Sequence, residues 1–145
     1  MNTKKYKIVA VSGGYDPIHI GHIRQMKVAK ELGEKLIVIL NTDEFLIKKK
    51  GYFFMPFHQR KEIIESIKYV DEVFESVDKD QTVTNSLAII KPDVFAKGGD
   101  RNYNNIPKKE QEICDLFGIK VIENVGGEKV QSSSWLIDKI NKIYD

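Results

Sequence analysis

An alternation running the length of the chain narrows its fold more than any other feature: a short apolar run, then helical periodicity, then another apolar run. Lys7-Ile-Val-Ala-Val-Ser12 leads into Gly13 and Gly14, after which residues 21–32 carry Ile23, Met26, Val28, Ala29 and Leu32 at helical spacing. Gly33 reads as the glycine that stops this helix. Lys35-Leu-Ile-Val-Ile-Leu40 is apolar without alternation, the pattern of a parallel strand covered on both faces. The same reasoning predicts a helix over 56–69, with Ile63, Ile64 and Ile67 on one side, and a strand over 70–74. A helix over 83–90 ends before Pro92, and a strand covers 94–96. A helix over 107–117 stops at Gly118, a strand covers 120–122, and a last helix over 135–144 is capped by Ser132-Ser-Ser134.

Parallel strands require crossover connections of one hand, so five strands alternating with helices give an α/β fold: a Rossmann-like open parallel five-stranded sheet with helices on both faces. The 145 residues suit a single domain over 1–145. Two connections, 42–55 and 98–106, are longer than usual and read as loops. Ligands of such sheets bind at the carboxyl ends of strands, so these two loops and residues 13–21 are expected to converge on one crevice.

Several function classes are disfavoured. With 23 Lys and Arg against 21 Asp and Glu, the formal charge is only +2, and no basic stripe is interleaved with aromatics, so no nucleic-acid partner is expected. No apolar run approaches the roughly 20 residues of a membrane helix, so no membrane partner is expected either. The first residues lack a long apolar core and a small-residue cleavage site, and a cytoplasmic protein is expected. Cys114 and three scattered histidines cannot build a thiolate zinc cage, so no metal ligands are assigned and Cys114 reads as a buried helix residue.

The richest stretch for chemistry is Ser12-Gly-Gly-Tyr-Asp-Pro-Ile-His-Ile-Gly-His22, between the first strand and the first helix. It sets His19 and His22 beside the positive end of a helix, where free amides also point, and an anion is expected there. Gly21 lets the backbone approach that anion, and Gly13 and Gly14 permit the sharp exit from the strand. A plain strand-to-helix turn with solvated or capping histidines is the other reading of the bare string. Ser132, Ser133 and Ser134 make a second anion seat or a simple cap. Lys97-Gly-Gly-Asp100 lies at a strand end, where its glycines would sit against a base or ribose and Asp100 would accept from hydroxyls; a surface turn is the alternative.

Gly14-Tyr-Asp-Pro-Ile-His-Ile-Gly-His22 resembles the signature of the cytidylyltransferase-like nucleotidyltransferase superfamily, whose HxGH histidines bind nucleotide phosphates. Ile90-Lys-Pro-Asp-Val-Phe-Ala-Lys-Gly-Gly-Asp100 is similar to the matching segment of heptose-phosphate adenylyltransferases, and Val130-Gln-Ser-Ser-Ser-Trp-Leu136 to the serine/threonine signature opening the family's last helix. The resemblance implies the HxGH type of fold, a homodimer, and a nucleoside triphosphate and a small phosphorylated acceptor as partners. It assigns His19, His22, Lys50 and Ser133 to catalysis. Nucleotide binding falls to Gly13, Gly14, Tyr15, Asp16, Gly21, Lys97, Gly98, Gly99, Asp100, Ser132 and Ser134, with orientation of the loop as the alternative role of Asp16.

One of Lys48, Lys49 and Lys50 is expected to reach ligand, with Lys48 and Lys50 singled out; a solvated charge run is the alternative. Arg60 is expected to face the acceptor phosphate or to make a surface salt bridge. Where glycerol-phosphate cytidylyltransferases carry an arginine before the last helix, this chain offers Lys129, and Phe54-Met55 replaces an arginine before Pro56.

The expected activity is transfer of a nucleoside monophosphate, AMP favoured, from its triphosphate to an acceptor such as a sugar 1-phosphate. Pyrophosphate is released and Mg2+ bridges phosphate oxygens. The alternative is CTP-dependent transfer to glycerol 3-phosphate or a similar alcohol phosphate. A nucleotide-binding module without turnover is a second class, which the intact His19, Gly21 and His22 disfavour.

Overall fold

The computed structural model describes residues 4–99, 101–127 and 130–144. Asp100 and Lys129, both named above, lie outside the described residues. In chain order the elements are β1 (Tyr6–Gly13), α1 (Ile20–Leu32), β2 (Gly33–Leu40), α2 (Asp43–Lys50), α3 (Phe57–Glu65) and β3 (Glu72–Glu75). They continue as α4 (Thr84–Ile90), β4 (Val94–Ala96), a short 3-10 turn at Tyr103–Asn105, α5 (Lys108–Phe117), β5 (Lys120–Ile122) and α6 (Ser133–Tyr144).

All four strand pairings are parallel, and the sheet order is β3-β2-β1-β4-β5. The order reverses direction at β1, which opens a crevice between the carboxyl ends of β1 and β4. Alternate residues of the central strands feed two apolar layers. Val9, Val11, Leu36, Val38, Val94 and Ala96 pack with Met26 and Ala29 of α1 and Ile64 of α3. Ala10, Ile39 and Phe95 pack on the other side with Leu87 of α4 and Cys114 of α5. Cys114 is a free, buried thiol, as its place in a helix suggested. None of the described helices is long and apolar enough to cross a membrane.

Three local expectations change. Residues 42–55 are not one loop, because Asp43–Lys50 forms α2, capped by the Thr42 hydroxyl and closed by Gly51 at a φ of 86°. Gly33 is extended and opens β2; a Cβ there would lie 2.7 Å from Val9 Cγ2, so glycine is required by the close packing of β1 on β2. The 56–69 helix ends at Glu65, where the Ser66 hydroxyl turns back to the Ile63 carbonyl. Asp71 then accepts from Leu36 N–H and the Lys30 ammonium, and the strand starts beyond it at Glu72.

Candidate active site

The crevice holds a cleft of about 450 Å3. Its floor is Ser12 and Gly13 at the end of β1, and Lys97 and Gly98 close it on the β4 side. His19 and His22 enter from the start of α1, and Ser132 and Ser133 from the start of α6. The two helix starts meet here, because Ser133 Oγ donates to the Pro17 carbonyl at 3.0 Å. Ser132 Oγ accepts from Trp135 N–H at 3.0 Å, so this serine is the cap of α6.

The histidine pair is a reciprocal capping arrangement. His19 Nδ1 accepts from Gly21 N–H at 3.1 Å, and His22 Nδ1 accepts from His19 N–H at 3.2 Å. An Nδ1 that accepts from an amide leaves the ring proton on Nε2, so each ring keeps an Nε2–H donor. The rings stack with centroids 3.7 Å apart. Burial, with the charge of His19 beside it, pushes His22 down to about 3, and at neutral pH it is an uncharged donor.

Gly21 lines the cleft. A Cβ there would lie 3.0 Å from His19 Cε1, so the glycine makes room for the capping ring. The sharp exit from β1 is likewise made at Tyr15, whose φ is 52°, rather than at the two glycines. Gly13 leaves space for the Tyr15 ring and Gly14 for Leu46. Tyr15 itself is buried with its edge against His22, and burial raises its phenol above the usual range.

Of the other residues named from sequence, the cleft is lined by Tyr15, Gly21 and Gly99, while Gly14, Asp16, Lys48, Lys50, Arg60 and Ser134 stand outside its lining. Three consecutive lysines on a helix point in three directions, about 100° apart. Lys48 pairs with Glu44 at 3.3 Å on the surface, outside the cleft lining. Lys50 donates to the Asp16 carbonyl at 2.8 Å and lies beside the Asp16 carboxylate, outside the cleft lining. Lys49 is the one that lines the cleft. Burial first, then Arg101 and Lys50, lower its ammonium below the usual range.

Asp16 and Arg60 both bind backbone groups of neighbouring segments. The Asp16 carboxylate accepts from Phe54 N–H at 2.7 Å and Met55 N–H at 2.9 Å, tying the segment after α2 to the histidine loop. Arg60 is 1% exposed. Its guanidinium donates to the carbonyls of Met55, Gly14 and Asn41 and to Asp43, at 2.6 to 2.9 Å. A guanidinium so enclosed has no face for an acceptor phosphate.

Sequence reasoning did not assign Arg24, Gln25, Arg101 or the Val125–Gly127 segment, all of which line the cleft. Gly126, at a φ of 95°, packs so tightly that a Cβ would sit 2.9 Å from Gln25 Cα. The pair Gly126-Gly127 was the available signal. Lys97, under α5, is lowered to about 8 by burial, with Glu110 opposing and Arg101 and Lys49 adding to the fall. The described lining contains Arg24, Lys49, Lys97 and Arg101 and no carboxylate, a charge pattern suited to a polyanion. Among the described residues no cluster of three metal-ligating side chains occurs. That donor set fits a magnesium ion carried on phosphate oxygens and water, not one held in a protein cage.

Comparison with known proteins gives the family of the chain. The family described as cytidylyltransferase-like matches residues 10–140. FAD synthase of Pyrococcus abyssi is 38% identical over 141 residues, covering 94% of this chain and 93% of that protein. Glycerol-3-phosphate cytidylyltransferase of Bacillus subtilis is 37% identical over 125 residues, covering 86% of this chain and 95% of that protein. The crystal structure of a lipopolysaccharide core biosynthesis protein from Thermoplasma volcanium shares the fold, with a TM-score of 0.69 at 24% identity over 82% of this chain and 96% of that one. The chain is an enzyme of the nucleotidyltransferase class and belongs to the cytidylyltransferase-like family.

Proposed function

We propose that this enzyme transfers an adenylyl group from ATP to a small phosphorylated acceptor such as a sugar 1-phosphate and releases pyrophosphate. The observation that carries the reading is the locked histidine pair: two Nε2–H donors at the start of α1, in a cationic cleft shared with the start of α6. An oxygen of the acceptor phosphate forms the new bond to the α-phosphorus. The bond from that phosphorus to the oxygen bridging to the β-phosphate breaks, and pyrophosphate leaves with the electron pair. The acceptor is already an anion, so no general base is needed.

His19 and His22 donate to triphosphate oxygens, and the amides at the start of α6, with Ser132 and Ser133, hold the outer phosphates. Lys49, reaching in from α2, neutralises charge as it builds. Magnesium, when bound, supplies charge neutralisation on the triphosphate oxygens. Adenine is favoured because Lys97-Gly-Gly-Asp100 resembles the adenylyl-transferring branch and because FAD synthase, by name, makes a product that contains adenine. CTP-dependent transfer to an alcohol phosphate is the second reading, supported by the similarity to glycerol-3-phosphate cytidylyltransferase.

A homodimer belongs to the same reading and is tested by light scattering on a sizing column. Pyrophosphate release from ATP and from CTP, each with magnesium and a panel of phosphomonoesters, tests the function. Release with ATP alone supports the proposal, and release with CTP alone replaces it with the second reading. Nucleotide binding with no release across the panel points to a module without turnover.

A further inference from the structure

We propose that the carboxamide of Gln25 reads the donor's nucleobase, admitting a base that carries an amino group and turning away its oxo counterpart. This rests on the transfer reading above and names the class of nucleotide that the cleft takes.

Gln25 stands on α1 one turn beyond His22 and on the same side of the helix, so a base beside it lies within one nucleotide's reach of the histidine pair. Facing it is a wall built from two segments. Lys97 N–H donates to the Ile122 carbonyl at 2.8 Å and Val125 N–H to the Lys97 carbonyl at 2.9 Å, which fastens the chain after β4 to the chain after β5. Two glycines of that wall close on Gln25. A Cβ at Gly126 would lie 2.9 Å from Gln25 Cα and 3.1 Å from its backbone nitrogen, so the main chain of α1 is pressed against the wall. A Cβ at Gly98 would lie 3.1 Å from Gln25 Nε2 and 3.3 Å from the Val125 carbonyl oxygen. The side chain is held at its root, and its tip is set beside Gly98.

A carboxamide carries a donor and an acceptor side by side, and each requires a partner. Among the described residues the Gln25 carboxamide has none, although it is half-buried in the cleft lining. The lysines and arginines of the cleft only donate, so they cannot satisfy both of its atoms. Adenine and cytosine present the complement, an amino donor next to a ring-nitrogen acceptor, and a glutamine meets adenine with two such hydrogen bonds. Their oxo counterparts, hypoxanthine and uracil, put a carbonyl acceptor where the amino donor was. To meet that carbonyl the amide would have to exchange its ends. Oε1, in place of Nε2, would then occupy the space beside Gly98 that holds the Val125 carbonyl oxygen.

The test compares ATP with ITP and CTP with UTP, two pairs that differ by this amino-to-oxo exchange. Binding to wild-type protein and to Gln25→Leu is measured by calorimetry with magnesium. Inorganic tripolyphosphate with magnesium reports the triphosphate contacts without a base. Leucine and glutamine are similar helix formers, so α1 is expected to stay intact. In the pair it prefers, wild-type protein is expected to bind the amino member at least 10-fold more tightly than the oxo member. In Gln25→Leu that ratio is expected to fall below threefold, with tripolyphosphate affinity within threefold of wild type.

A smaller ratio in wild type, or a ratio kept in Gln25→Leu, overturns the proposal. A parallel loss of tripolyphosphate affinity makes Gln25 a packing residue of α1 and overturns it as well. These outcomes leave the transfer reading standing. Failure of wild-type protein to bind any of the four nucleotides sinks that reading and the proposal with it, so the two failures are separable.

Discussion

His22 owes its neutrality to its position: the ring is stacked on His19, edged by Tyr15 and fixed through Nδ1 to a backbone amide. Its folded-state value near 3 lies below the unfolded value of about 6.5, so between these the unfolded chain binds more protons. His22 thus contributes stability that is complete above about pH 6.5 and is lost as pH falls toward 3. Urea midpoints at pH 7, 5 and 4 are expected to fall more steeply in wild type than in His22→Ala, and equal slopes would contradict the burial argument. In the same variant turnover is expected to drop roughly 100-fold or more, because a donor aimed at developing charge is lost. A cap disappears with it, costing about 1 kcal/mol and a few degrees of Tm. Near-native turnover would remove His22 from the chemistry. Both histidines were readable because the whole device lies within four consecutive residues, whereas their tautomers depend on backbone amides that no residue pattern displays.

At the scale of elements, α2 shows what a sequence conceals. It has a single buried side chain, Leu46, so it leaves no apolar periodicity to read, and its lysines pass for a loop. Once the segment is helical, only Lys49 reaches the cleft. Lys49→Met is expected to lower kcat/KM at least 30-fold, about 2 kcal/mol of transition-state stabilisation, while Lys48→Met stays within twofold. Similar losses in both would mean a diffuse field rather than one directed ammonium. Arg60 reads from sequence as facing the acceptor phosphate or making a surface salt bridge, because an arginine is rarely buried. Its burial follows from three carbonyls that converge from the β1 loop, the end of β2 and the segment after α2, a meeting of distant segments that spacing does not encode. Arg60→Met is expected to cost about 3 kcal/mol of stability by leaving those acceptors unpaired. A urea midpoint within error of wild type would refute its role as the tie between these segments.

Across the whole molecule, alternation of strand and helix was enough to read a parallel sheet covered on both faces, since each crossover must lie on one face or the other. The strand order was not legible, because which strand lies beside β1 is settled by pairing between residues far apart in sequence. That order creates the site: β1 lies between β2 and β4, so α2, the histidine loop, the segment after β4 and the start of α6 reach one cleft. A ligand filling that cleft touches segments from four parts of the chain and binds only when all are in place. Such a ligand at 100 times its Kd stabilises the fold by about 2.7 kcal/mol, which for a chain of this size raises Tm by roughly 8–10 °C. ATP with magnesium is expected to give this shift and CTP a smaller one; the reverse order would transfer the donor assignment to cytidine. The shift is expected to shrink to under half in His22→Ala, since the pair anchors the triphosphate. An undiminished shift would place the outer phosphates wholly on α6 and leave the histidines to act on the α-phosphate alone.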